Sequence, residues 1–279
     1  MSPTVLPHGI TAIRHDFSLP LSPGRSLPRW VYSFVLRRGR WIAVDAGVAG
    51  SATAIEAAAD APIGALLLTH GHPDHLGGAP TLRAHTDCAV LVAEQERSWI
   101  ETPAAQLEVR PVPGFWQLVE GGVAVSACFV DGQSLLDGEA ALESVATPGH
   151  SPGHFAFWDP DRKVLFSGDA IPVPGEMPIY DDARAVVDSL ERLARLPVEL
   201  LLSAWDVPWE GVRAREAIAR GLEVVREVGD HVSAVSRALG ADADLSTVTR
   251  EVARVLGLPS ALAGPLFART VRAHLQGQS

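Results

Sequence analysis

The stretch Thr69-His70-Gly71-His72-Pro73-Asp74-His75-Leu76-Gly77-Gly78 puts three imidazoles and a carboxylate within residues 70–75. It directly follows the apolar run Ile63-Gly64-Ala65-Leu66-Leu67-Leu68. A short apolar run stopped by Gly and Pro predicts a buried strand ending in a tight loop. Titratable side chains crowded at such a strand end cost free energy unless something binds them. Imidazoles with a carboxylate are the donor set of zinc or a similar first-row divalent ion. A structural loop can carry a stray histidine or two, but His-x-His-x-Asp-His is a ligand pattern.

Upstream of this loop the sequence reads as sheet. Ile10 to Leu19 and Trp30 to Leu36 alternate as strands do, and the Pro/Gly/Ser-rich segment Pro20 to Pro28 predicts a loop between them. Arg38-Gly39 marks a turn into a third strand that ends at Asp45-Ala46-Gly47, where Asp45 is either a turn residue or something more. Ser51 is an N-cap candidate for an Ala-rich helix over 51–60, which leads into the strand 63–68. Strand, helix, strand is a crossover unit, so the fold class is mixed α/β. Downstream, Pro80 to His85 predicts a short helix and Cys88 to Val92 a strand. Residues 94–120 predict a short helix followed by loop, with Trp99, Phe115 and Trp116 as packing residues or cleft walls.

Strands are expected over Val123 to Val130 and Leu142 to Ala146, joined by the turns Asp131-Gly132 and Asp137-Gly138. The second runs into Thr147-Pro148-Gly149-His150-Ser151-Pro152-Gly153-His154. A hairpin of Phe155 to Trp158 with Val164 to Phe166 ends at Ser167-Gly168-Asp169-Ala170. An amphipathic helix over Asp182 to Leu196 precedes the last expected strand, Val198 to Leu202, which ends at Ser203-Ala204-Trp205-Asp206. From Gly211 the pattern is helical, over Val212 to Leu239, Leu245 to Leu256 and Leu262 to Leu275. The expected organisation is an α/β domain over 1–210 and a helical cap over 211–279.

Composition narrows the function. The 279 residues carry a formal net charge of −10, and Lys163 is the single lysine. That balance argues against a nucleic-acid partner, whose phosphates need a clustered basic surface. There is no basic-then-apolar leader and no apolar stretch of about 20 residues, so neither export nor a membrane span is expected. Two cysteines, Cys88 and Cys128, suit a reducing cytoplasm.

Metal-grade residues end four separate strands: His70, His72, Asp74 and His75; His150; Asp169; and Asp206 beside Trp205. The segments Thr-His-Gly-His-Pro-Asp-His, Thr-Pro-Gly-His-Ser-Pro-Gly-His and Ser-Gly-Asp-Ala, in this order, resemble the metallo-β-lactamase superfamily over roughly residues 10–210. The early Asp45-Ala46-Gly47 resembles the Asp-x-Gly strand end of that superfamily. The resemblance implies a four-layer αβ/βα sandwich with two divalent metal ions, zinc first and manganese or iron as alternatives. By position, His70, His72 and His150 match ligands of one metal, Asp74 and His75 those of the second, and Asp169 the bridging carboxylate. One departure stands out. The superfamily's last histidine is replaced by Trp205, which cannot ligate zinc, so Asp206 is the candidate substitute.

The activity this implies is hydrolysis of a small ester-like substrate, a thioester or a lactone, by a metal-bound hydroxide that Asp74 orients. Glyoxalase II-like thioesterases and acyl-homoserine lactonases are the nearest patterns. A mononuclear-iron dioxygenase of the same fold and a phosphodiesterase are the alternatives. His154 is a candidate second-layer donor, Tyr180 a weaker candidate for the substrate's oxyanion, and the helical tail a possible homodimer surface.

Overall fold

The computed structural model describes residues 3–22, 24–135 and 142–277. Seven strands form the first sheet in chain order: β1 (Thr4–Leu6), β2 (Ile10–Ser22), β3 (Arg25–Arg38), β4 (Arg40–Val44), β5 (Ile63–Leu67), β6 (Ala89–Ala93) and β7 (Ala127–Phe129). Its first half is antiparallel, while β4, β5, β6 and β7 run parallel. The connections that make those parallel steps carry the helices α1 (Ala52–Glu56), α2 (Pro73–Leu76), α3 (Ala79–Thr86), α4 (Arg97–Glu101), α5 (Pro103–Val109) and α6 (Phe115–Leu118). The second sheet has the order β13-β12-β11-β10-β9-β8, from Trp209–Glu210, Leu200–Ser203, Val164–Gly168, Phe155–Asp159, Leu142–Ala146 and Ser134–Leu135. Helices α7 (Ala183–Leu193), α8 (Val212–Leu239), α9 (Leu245–Val255) and α10 (Pro265–Gln276) complete the chain.

The two sheets pack face to face. Ile10, Phe34, Leu36, Ile42 and Leu67 of the first interlock with Phe157, Val164, Phe166, Leu200 and Leu202 of the second. Their strands are therefore apolar on both faces, because the outer faces are covered as well. Val35, Ala43, Leu66 and Val90 pack under Ile55, Leu76 and Leu82. On the other side Ala156, Trp158, Leu165 and Leu201 pack under Val186, Leu190, Ala214 and Ile218. Helix, sheet, sheet, helix is the four-layer αβ/βα sandwich. Helix α8 runs on past the sheet, and its Val228 and Val232 pack with Val252, Phe267 and Val271 of α9 and α10.

Several expectations need correction. Pro20 to Pro28 is not a long loop, since Leu19 pairs Leu27 and Pro20 pairs Ser26 as β2 and β3 extend into a two-stranded ribbon. Among the described residues, neither outer flank of that ribbon has a further strand to pair with, and proline is tolerated on such edges. Residues 94–120 hold three helices, because Pro103 starts α5, where its missing N–H costs nothing. Ser51 does not cap α1; its hydroxyl accepts from the Val48 N–H instead. The expected strand Val123 to Val130 shrinks to β7, and Leu200–Ser203 is followed by the short β13. Asp131-Gly132 is a turn, whereas Asp137-Gly138 lies outside the described residues. Among the described residues no helix is long and apolar enough to cross a membrane.

Candidate metal centre

Of the sequence-predicted ligands, His70, His72, His75, His150 and Asp169 converge in the structure, while Asp74 stays beside the cluster, 4.0 Å from His75, and falls in neither of the two groups of donors they form. His70 and His72 come from the loop after β5, His75 from α2, which that loop opens, His150 from the loop after β9, and Asp169 from the end of β11. His70, His72 and His150 each bring a ring nitrogen within 4.8 Å of the others, and His70, His75 and Asp169 form a second such group. His150 Nε2 lies 2.8 Å from His72 Nδ1 and 3.2 Å from Asp169 Oδ2. His75 Nε2 lies 3.0 Å from Asp169 Oδ1 and 4.0 Å from Asp74 Oδ2.

Each ring is aimed by its other side. His150 Nδ1 donates to the Ile179 carbonyl at 2.6 Å, which leaves Nε2 as a lone pair facing the cluster. His75 Nδ1 donates to Asp45 Oδ2 at 2.8 Å. Asp45 is therefore more than a turn residue, although it does adopt a left-handed φ of 60°. Its Oδ1 also accepts from the Thr69 N–H at 2.8 Å, so one carboxylate fixes the start of the ligand loop and the ring at its end. His154, the second-layer candidate, accepts the Asp169 N–H on Nε2 at 3.0 Å and contacts Thr147 Oγ1 through Nδ1 at 2.8 Å. Gly168 makes this approach possible, since at its φ of 51° an added Cβ would fall 2.8 Å from His154 Nε2.

Burial decides the charge state of the cluster. Loss of water, reinforced by neighbouring rings, holds His70 well below the ordinary imidazole range; for His72 the Arg110 charge adds to the burial. Burial likewise brings His150 to about 4 and His154 to about 3. Burial opposes charge on His75 too, but Asp169 and Asp45 outweigh it and raise its proton affinity. Asp169, despite burial, is held below the carboxylate range by His75 and His150. Burial raises Asp74, with Asp169 adding to it. Neutral His70, His72 and His150 beside the ionised Asp169 are in the form that binds a divalent cation, whereas His75 would give up its proton on binding one. His70 Nε2 is buried with no hydrogen-bond partner, an orphan that a metal ion would satisfy. The donor set fits the group.

Asp206 does not join the cluster. Its Oδ1 accepts from the Val207 N–H and its Oδ2 from the Trp209 indole, both at 2.7 Å. Trp205 faces inward instead and donates its indole N–H to both oxygens of Asp169 at 2.9 Å. Both residues lie past the end of β12, where the chain turns Trp205 toward Asp169 and Asp206 toward Trp209.

Residues the sequence did not single out hold the loops together. Buried Glu96 accepts the Gly71 N–H on one oxygen at 3.0 Å. On the other it accepts the Ser151 hydroxyl at 2.7 Å and the Gly153 N–H at 2.9 Å. Gln106 donates to the Gly71 carbonyl at 2.6 Å, and Arg110 Nε donates to His72 Nε2 at 2.8 Å. All three fall in 94–120, and no local pattern marks them, because their partners are 25 to 57 residues away.

A cavity of about 510 Å³ opens over His72, Asp74, His150 and Asp169. Phe17 and Trp205 are its aromatic walls; Trp99, Phe115 and Trp116 do not line it. Trp99 stacks on His72, Phe115 is core, and Trp116 is exposed. Tyr180 is also elsewhere, its hydroxyl 2.7 Å from His274 Nε2.

Comparison with known proteins agrees with this geometry. The family model of the metallo-beta-lactamase superfamily matches residues 28–205. A hydroxyacylglutathione hydrolase of Methylococcus capsulatus is 31% identical over 201 residues, 71% of this chain and 70% of that protein. A probable metallo-hydrolase of Bacillus subtilis is 27% identical over 221 residues, 68% of this chain and 81% of that protein. A metallo-beta-lactamase family protein from Thermus thermophilus superposes with a TM-score of 0.70 at 21% identity, covering 98% of this chain and 94% of that one. The chain belongs to the metallo-beta-lactamase superfamily and is an enzyme of its hydrolase class.

Proposed function

We propose that the protein hydrolyses a small thioester or lactone with the help of zinc. The observation that carries this reading is the placement of a histidine and aspartate cluster at the floor of a largely apolar, ligand-sized cavity. The relatedness to a hydroxyacylglutathione hydrolase supports the thioester side of it. Its free cysteines, Cys88 buried and Cys128 half-buried, support a cytoplasmic location.

His70, His72 and His150 would hold a first ion, and His75 and Asp169, with Asp74 beside them, a second. When bound, the ions supply a Lewis acid and lower the pKa of water. The chain's own residues do the rest. Asp45 and Ile179 keep His75 and His150 turned with Nε2 inward. Asp74, whose proton affinity burial raises, is the base offered to an attacking water at the cavity floor. The apolar walls exclude competing water from the substrate.

The test is elemental analysis of chelator-free protein, followed by a panel of thioesters and lactones on zinc-, manganese- and iron-loaded enzyme. Hydrolysis with about two zinc ions per chain is the expected result. One iron per chain, with oxygen consumed and no hydrolysis, would establish the dioxygenase chemistry in its place; Trp205 in the position of a ligand favours that second reading.

A further inference from the structure

The cavity reaches well beyond the metal cluster. Leu19, Val112, Ile171, Met177, Leu262 and Leu266 build its sides, so the segment before α10 closes it. Two cations line it, Arg29 and Arg110. Arg29 is committed, its Nη1 paired with Glu176 at 2.8 Å and its guanidinium lying 4.7 Å over the Trp205 ring. Arg110 is not. It is 4% exposed and forms no salt bridge among the described residues, while Asp181, the carboxylate that acts on it most strongly, is taken by both ends of Arg269. Arg110 Nε is spent on His72, and Nη1 is buried with no partner. A buried guanidinium nitrogen with no partner, as Nη1 is, is costly, and it is kept where a ligand completes its bonding.

We propose that the substrate is the ester, thioester or lactone of an apolar acyl group, and that Arg110 binds an anionic or carbonyl oxygen it carries beside the scissile bond. The inference rests on the hydrolase reading for the bond broken, and adds what the cavity accepts. Among the described residues that line the cavity, Arg110 is the one arginine not paired with a carboxylate, which suits a thiol carrier bearing several charges poorly. An alkyl chain finds apolar contact throughout, and each buried methylene contributes about 0.8 kcal/mol, or about fourfold in affinity. Arg110 is thus a specificity residue, reading one oxygen at the end of an apolar slot.

The experiment is titration calorimetry of the metal-loaded full chain with butanoate, hexanoate and octanoate, and with 1-hexanol as the uncharged control. Affinity should rise about fourfold per methylene. Arg110→Gln should weaken hexanoate at least tenfold and leave hexanol within about twofold, with Arg110→Lys recovering part of the loss, as expected of a charge-assisted hydrogen bond. An affinity that ignores chain length overturns the apolar slot. Unchanged hexanoate binding by Arg110→Gln shows the carboxylate held elsewhere, on the metals for instance, and overturns the role of Arg110. Equal loss of hexanoate and hexanol, or loss of metal with both, would mark Arg110 as structural and overturn it too. Acyl thioesters of N-acetylcysteamine should show the same length series in kcat/KM. If carboxylates bind as described while no thioester, ester or lactone is turned over, the hydrolase reading fails and the subsite stands.

Discussion

Trp205 stands where the resemblance expects a ligand, and it is a donor: its indole N–H meets both Asp169 oxygens. The second ion is consequently expected to be the more weakly held. Trp205→His should raise the metal retained after dialysis towards two ions per chain, read by elemental analysis, and unchanged retention would mean the second site is already complete. His15 offers a test away from the cluster. It sits against Ser33 Oγ at 2.7 Å, and burial, partly offset by Asp16, lowers it from 6.5 to about 4. The unfolded chain takes up this proton near pH 6.5 and the folded chain near 4, so acidification through that window favours unfolding, by at most about 1.4 kcal/mol per pH unit. His15→Gln should keep more of its stability between pH 6.5 and 4.5 than the parent, as urea unfolding at the two pH values would show. Sequence served this scale unevenly. The histidines of the candidate site were legible because the stretch after β5 compresses three of them into a motif. Choosing between Trp205 and Asp206 was not possible from the chain alone, because which neighbour faces inward is settled by packing across the sheets.

At the scale of elements, the site depends on two loops from different sheets kept in register by a short stretch before α4. Glu96 accepts from three donors there, one in the first loop and two in the second. Glu96→Ala strands two backbone N–H groups and a hydroxyl in a buried place. About 3 kcal/mol of stability should be lost, since each unmet group costs about 1–3 kcal/mol and water recovers part. Denaturant unfolding measures that loss, and a change under about 1 kcal/mol would show that water takes over the clamp. Regular elements were mostly readable: α8 spans the residues its periodicity marks, and β5, β10 and β11 differ from expectation by a residue or two. The prolines misled where they lie on a ribbon edge or at a helix start, positions that cost nothing and leave no trace in a local window. The Glu96 clamp was invisible for a related reason, since it joins residues 55 and 57 positions apart.

For the whole molecule, the tail and the sandwich are tied near the cavity. Arg269 of α10 grips Asp181 with two hydrogen bonds of 2.6 Å and reaches the Val109 carbonyl. Arg269→Met should raise KM more than it lowers kcat, because it loosens a wall of the cavity rather than its floor; an isolated fall in kcat would contradict this. The mixed α/β class was legible from the strand-helix-strand crossover, and the four-layer sandwich only through the resemblance that the histidine and aspartate motifs carry, whereas the cavity, assembled from β2, the 110s, the 170s and the 260s, could not be read from the chain. The ligand set also straddles the seam, His70 and His72 leaving the first sheet and His150 and Asp169 the second. A bound ion is then a rivet through two separately built halves, and its binding energy adds to their cohesion. Calorimetric melting should be a single sharp transition with metal present. After chelation it should move to lower temperature and broaden or split, as each half of the sandwich begins to unfold on its own account.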